Sequence, residues 1–339
     1  MGVALIDRPT ATFAFKVIVF SMCIGALTPL VFAHGYERPV DAVVGSMTGF
    51  LIGAGCVTVE LAFLSNQSIR WLRKTPLIAI IGVRTVTYSL IIVIGIIGPA
   101  YVLLDQKIWQ ESEFAFNFAL SAAIATAIST SVELLRLLGR EATLAIFTGQ
   151  YRRPRLENRI VLFADLVGST ALAERLGELK FHEFLSDVSY DLSRPIESNG
   201  GEVHRYVGDA VIVTWPAANA SSYERSVACA SQMPRALESK IEDYVTRYGQ
   251  EARIRVALHC GPVAAGEIGT WKKEIALLGD TMNTAARIES AARDFGVEVV
   301  ISDAVREQLS DEASKMLSQL PDYSARGKTD QLALWTISE

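Results

Sequence analysis

The 339-residue chain lacks the features that mark several large classes of protein. It has no basic excess: 32 lysines and arginines stand against 37 aspartates and glutamates, for a net charge of −5. That balance leaves no electrostatic footprint for nucleic acid, and none is expected as a partner. Its four cysteines, Cys23, Cys56, Cys229 and Cys260, form no CxxC and no cluster of metal-site spacing. Reduced, buried thiols are expected instead of a disulfide framework. No internal repeat and no low-complexity run is present. What the chain has in excess is hydrophobicity. Half its residues are apolar and its mean hydropathy is +0.28, high for a wholly soluble enzyme, which points to a membrane part. The length favours two domains.

The apolar excess sits at the front. Four segments, approximately Ala11–Ala33, Val40–Leu64, Pro76–Leu104 and Phe114–Leu138, each reach the ~20 apolar residues that a spanning helix needs. The first is too long, and too poor in a cleavage site, to read as a signal peptide. Basic residues flank them unevenly. Arg70, Arg73 and Lys74 follow the second segment, and Arg136, Arg140, Arg152, Arg153 and Arg155 lie at the end of the fourth and beyond it. The other two loops have no such excess, so the positive-inside rule puts both termini in the cytoplasm, as a multi-pass protein of the inner membrane. Lys16, Glu60 and Glu133 lie near helix ends and are expected to snorkel. Arg84 lies deeper and is expected to make a polar contact within the bundle. Gly45, Gly49 and Gly53 form a small-residue stripe open to close helix approach, a weak pointer to dimerisation. Residues 1–138 are therefore assigned to a four-helix transmembrane domain and 139–157 to a linker ended by Tyr151-Arg-Arg-Pro-Arg155, whose basic cluster could also touch the lipid bilayer. A ligand of the membrane domain is a further possible partner.

Residues 158–339 read differently. Strands are expected at Ile160–Ala164, Glu202–Tyr206, Ala210–Trp215, Arg253–His259, Val263–Ile268, Val297–Ile301 and Leu332–Ile337. Helices are expected at Thr170–Leu176, Leu179–Ile196, Ser221–Tyr248, Asp280–Asp294 and Ser302–Gln308. Hairpin-linked strands with helical returns imply an α+β sheet with helices on one face. Within this half, Val161-Leu-Phe-Ala-Asp165 is an apolar run delivering one carboxylate, and it breaks into Gly168-Ser169-Thr170. A carboxylate there is costly unless paired or metal-bound. The turn that follows suits a helix start whose free N–H groups hold phosphate. A second carboxylate, Asp209, follows Gly208 between two more apolar runs. Taken alone it would be an ordinary turn aspartate. The pair suggests two divalent metals holding a nucleoside triphosphate.

Four motifs in order then resemble the class III adenylate/guanylate cyclase catalytic domain: Phe163–Thr170, Gly200–Asp209, Ala257–Gly261 and Leu278–Arg287. The resemblance implies a ferredoxin-like α+β catalytic domain in which Asp165, Leu166 and Asp209 hold two Mg²⁺ or Mn²⁺ ions. It implies that Phe163, Val167, Gly168, Ser169 and Thr170 cradle the substrate's phosphates, helped by Arg326 and Lys328. It makes Asn283 and Arg287, four apart on one helix face, the residues that orient the ribose and stabilise the reacting phosphate. In the family the metal aspartates and the Asn/Arg pair of one site come from different subunits, so a homodimer is implied. The base-recognition positions depart from the family pattern. They hold Arg205 and Ala276, and Ala276 offers no side-chain hydrogen bond, so a backbone carbonyl or a neighbour such as Lys273 or Glu274 would have to help. The activity implied is ATP to cyclic AMP. GTP as substrate, a silent nucleotide-binding receptor, and a channel with an accessory cyclase are the other readings.

Overall fold

The computed structural model describes residues 18–27, 39–63, 75–104, 148–271, 273–324 and 331–338, with isolated positions at 15–16 and between 118 and 131. The chain splits into two compact units, Met1–Leu138 and Gly139–Glu339.

In the first unit, two helices are long and apolar enough to cross a membrane by length and composition. They are α2 (Pro39–Phe63), over Val43–Glu60, and α3 (Leu77–Leu104), over Leu77–Pro99. A shorter apolar helix, α1, covers Ile18–Leu27. The fourth expected segment has only isolated described positions, and the flanking Arg70, Arg73, Lys74, Arg136 and Arg140 lie outside the described residues. The glycine stripe is used within the chain. A Cβ at Gly49 would collide with the Ser21 backbone carbonyl, and one at Gly45 with that of Gly25. Helix α1 thus occupies the face that the sequence suggested for dimerisation. Gly49→Val is expected to separate α1 from α2 and to lower the yield of detergent-extracted, correctly folded protein several-fold, read by size-exclusion chromatography. Glu60 turns to α3. It accepts a hydrogen bond from the Tyr88 hydroxyl and lies 3.6 Å from the guanidinium of the fully buried Arg84. Arg84 thus makes the polar contact within the bundle expected of it.

The second unit is built on an eight-stranded sheet in the order β2-β3-β1-β4-β6-β10-β7, with β5 hydrogen-bonded to β4. The strands are β1 (Arg155–Leu166), β2 (Glu202–Val207), β3 (Ala210–Pro216), β4 (Ile254–Ile268), β5 (Glu274–Leu278), β6 (Val299–Ser302), β7 (Leu317–Gln319) and β10 (Leu334–Ile337). A separate two-stranded ribbon joins β8 (Tyr323–Ser324) to β9 (Gln331–Leu332). Central β1 runs antiparallel to both β3 and β4, while β4 and β6 are parallel. The helices are α4 (Ser169–Leu176), α5 (Glu178–Ser198), α6 (Ala220–Glu238), α7 (Ile241–Tyr248), α8 (Asp280–Phe295) and α9 (Asp303–Arg306).

Helices cover both faces of the sheet, not one. Ile160, Leu162 and Ala164 of β1 pack with Phe184, Val188 and Leu192 of α5 and with Met233 and Leu237 of α6. The alternate residues of the sheet, Val161, Ala257 and Val300, pack with Ala285, Ile288 and Ala292 of α8. The cause lies in β1 itself: an unbroken apolar run offers a hydrophobic surface at both parities, so each face must be covered. Two other boundaries differ. β4 passes through Gly261-Pro262 without a break, because Pro262 keeps its register opposite Asn158. The single expected helix over Ser221–Tyr248 is two. Ser239 closes α6 through its N–H to the Arg235 carbonyl and its hydroxyl to that of Ala236. β5 was not expected at all.

Candidate active site

The register of β1 sets the site. Asp165 is its penultimate residue and, two positions on from Phe163, shares the face covered by α8. After Leu166 the chain turns at Gly168, whose φ of 71° lies in the left-handed region, and α4 begins at Ser169. The hairpin between β2 and β3 turns likewise at Gly208, with φ of 62°, which puts Asp209 immediately before β3. Because Ala164 pairs with Val211 across the β1–β3 ladder, both carboxylates come to the same end of the sheet. They stand near each other there, close enough for the charge of Asp209 to act on Asp165. Burial, followed by the charges of Asp209 and Glu289, pushes the Asp165 carboxyl up to about 6, while Arg255 pulls it down.

Two neighbouring carboxylates at one end of the sheet make a pair of hard oxygen donors in need of positive charge, which fits divalent cations of the Mg²⁺ or Mn²⁺ kind. Leu166 can add only its backbone carbonyl. Among the described residues no group of three or more His, Cys, Asp or Glu side chains gathers at one point, so other ligands would have to come from substrate and water.

The phosphate cradle is narrower than the sequence suggested. The Val167 N–H is already donated to the Arg253 carbonyl. Phe163 is held mid-ladder between Ile212 and Ala257, with its ring against the α8 cluster, so it has no free donor. Gly168 caps α4 without any side-chain cap bond from Ser169 or Thr170. Gly168, Ser169 and Thr170 remain at the start of α4, where N–H groups lack intrahelical partners. Arg326 and Lys328 lie outside the described residues.

Asn283 and Arg287 sit on α8, on the side away from the sheet. Thr281, Ala285, Ile288 and Ala292 face inward, whereas Asn283 is exposed and Arg287 half-buried. Among the described residues neither makes a side-chain hydrogen bond or ion pair, with Asp165 or Asp209 of its own chain or with any other group.

Arg205 on β2 is ion-paired with Glu274 at the start of β5. Ala276, two residues on, is buried opposite Gly266. Of the two helpers suggested for Ala276, Lys273 is bonded to Glu267 at 3.1 Å, which leaves Glu274 as the residue beside Arg205. Arg255 and Glu289 were missed by sequence reasoning. Their signal was available in part: Arg255 interrupts the apolar run of β4, and a cation there demands a partner.

The model of the adenylate and guanylate cyclase catalytic domain matches residues 152–338, more than half the chain. The chain belongs to this family. It therefore carries the catalytic domain of a nucleotidyl cyclase. Adenylate cyclase 2 of Rhizobium meliloti (strain 1021) is 29% identical to it over 304 residues, covering 86% of this chain and 84% of that protein. An adenylate cyclase of Anabaena cylindrica is 26% identical over 184 residues, covering 52% of this chain and 36% of that one. A solved bacterial light-regulated adenylyl cyclase shares the cyclase fold, with a TM-score of 0.53 at 19% identity over 67% of this chain and 66% of that one.

Proposed function

We propose that the chain is a membrane-anchored adenylate cyclase. It converts ATP to 3′,5′-cyclic AMP and pyrophosphate at two equivalent sites between the subunits of a homodimer. The observation that carries this reading is a division of the machinery. Asp165 and Asp209 stand together beside the Gly168 turn, while Asn283 and Arg287, on the outer side of α8, have no side-chain partner among the described residues. Half a site at each place is what a head-to-tail pair of protomers would complete.

In such a site Asp165, Asp209 and the Leu166 carbonyl hold two divalent cations, which when bound acidify the ribose 3′-hydroxyl and offset charge at the α-phosphate. The N–H groups of Gly168, Ser169 and Thr170 donate to the terminal phosphates, with Arg326 and Lys328 as further donors. Asn283 from the neighbour orients the ribose. Arg287 places its fixed charge against the oxygens that gain charge as the 3′-oxygen bonds to phosphorus and pyrophosphate departs. The proton of the 3′-hydroxyl leaves to solvent. Arg205 and Glu274 would part to take the base, Arg205 donating to adenine N1 and Glu274 accepting from the exocyclic amine. Guanine offers an acceptor and a donor to the same two groups, so GTP is the substrate to test beside ATP. ATP is favoured because the relative that aligns beyond the catalytic domain is an adenylate cyclase.

For the front half the reading is four spanning helices with both termini cytoplasmic, anchoring the enzyme in the inner membrane and open to a ligand there. Its support is the outward display of Ile78, Val86, Leu90, Ile94 and Val102 along α3, a surface suited to lipid.

The test is product identification by mass spectrometry with the full-length protein in detergent, given ATP or GTP with Mn²⁺. Cyclic AMP as the main product is expected. No cyclic nucleotide from either substrate would overturn the reading. The same assay carries a pH prediction. Asp165 must be ionised to hold a cation, so activity at subsaturating Mn²⁺ is expected to fall as pH drops through about 6. The sign for stability is opposite to the usual carboxylate. A raised folded pKa contributes stability that is present below the ordinary aspartate range and lost as pH rises through about 6. The metal-free protein should therefore gain from mild acid at this group, and the rise in Tm on adding Mn²⁺ should shrink below that pH.

A further inference from the structure

Arg255 lies directly opposite Asp165 in the β1–β4 register. Its Nε donates to Glu289 Oε1 of α8 at 2.9 Å, and its terminal nitrogen stands 3.7 Å from Asp165 Oδ2. All three side chains are largely shielded: Arg255 is 15% exposed, Glu289 12% and Asp165 25%. The bond to Glu289 is short and the approach to Asp165 is longer than a hydrogen bond, so Glu289 decides where the guanidinium sits. Glu289 offsets the Arg255 guanidinium, so the guanidinium does not cancel the charge of Asp165.

Glu289 also belongs to the helix that carries Asn283 and Arg287. It sits on the flank of α8, two residues past Arg287, between the sheet-facing side and the outer side.

We propose that Arg255 and Glu289 are positioning residues that tie the cation-holding carboxylate of each protomer to α8, and so couple that protomer's cations to the Asn283–Arg287 pair it presents to the neighbouring site. This rests on the two-site dimer proposed above. With a cation held at Asp165, the Arg255 guanidinium would be pushed toward its partner Glu289 on α8. That motion presses on α8. Each cation pocket thereby stiffens the helix used by the other site, and the two active sites are linked without sharing a ligand.

The test uses the full-length protein in detergent and Mn²⁺ as the probe. Electron paramagnetic resonance reads free Mn²⁺, and hydrogen exchange reads the α8 amides. In the native protein, Mn²⁺ is expected to bind and to slow exchange in 280–295. In Glu289→Gln the dissociation constant for Mn²⁺ should rise by about tenfold or more, and the slowing of α8 should disappear. Arg255→Lys keeps the charge but loses the fork. It should show the same two changes more weakly, and it serves if Glu289→Gln does not fold. A Mn²⁺ affinity within twofold of native in the folded variants, or α8 protection that still follows Mn²⁺, would overturn the coupling. Native protein that binds no Mn²⁺, or Asp165→Asn that binds it undiminished, would overturn the cation reading itself, so the two failures are distinguishable.

Discussion

Asp165→Asn is expected to lower formation of cyclic product by on the order of a thousandfold at saturating ATP and Mn²⁺. Asparagine has nearly the shape of aspartate and keeps a carbonyl oxygen, so the change removes charge and little else. The charge is what the pocket lacks when a cation must be held beside Asp209. Stability should move the other way. Burial and two neighbouring carboxylates disfavour the ionised Asp165 in the folded protein, and a neutral amide is spared that cost. The Tm of metal-free Asp165→Asn at neutral pH should therefore be no lower than native. Loss of activity with an unchanged or raised Tm, measured on the same preparation, separates a missing cation ligand from a damaged fold. Substantial residual turnover would place the cations elsewhere.

Arg287→Ala should cost a hundredfold to a thousandfold in kcat with little change in KM, because a charge that meets developing negative charge acts in the transition state more than in the ground state. The guanidinium is half-buried and, among the described residues, has no partner in its own protomer. Removing it should leave the Tm of the protomer unchanged within about half a kcal/mol of stability. A surface arginine with no catalytic task would leave both kcat and Tm alone, so the measurement discriminates.

These two residues were legible in the sequence for different reasons. Asp165 stood out because a carboxylate ended an apolar run and a glycine followed. The structure keeps that order as strand, left-handed turn and helix. Arg287 was legible only through a spacing of four from Asn283 and the resemblance of the motif around it. Partnerships across long stretches of chain were hidden. Nothing in a linear reading joins Arg255 to Glu289, or Arg205 to Glu274, because those pairs exist only once β4 lies under α8 and β5 folds back on β4. The face taken by α8 was misjudged because hairpin-linked strands with helical returns implied helices on one face, when β1 is apolar at both parities. Likewise Gly261-Pro262 read as a break in β4. A proline without a donor still fits a strand where no hydrogen bond is asked of it. In the front half, hydropathy marked the spans but could not say that the glycines of α2 are filled by α1.

The division of each active site between two copies of the chain is tested most directly by mixing two dead proteins. Asp165→Asn and Arg287→Ala, each inactive alone, are co-expressed with different affinity tags and the doubly tagged dimers are purified. In a mixed dimer one of the two sites receives both defects and the other receives neither. Cyclic-nucleotide formation should return to about half the native rate per dimer. If the mixed dimer stays as inactive as its parents, Asp165 and Arg287 serve the same site from one chain, and the shared arrangement is contradicted.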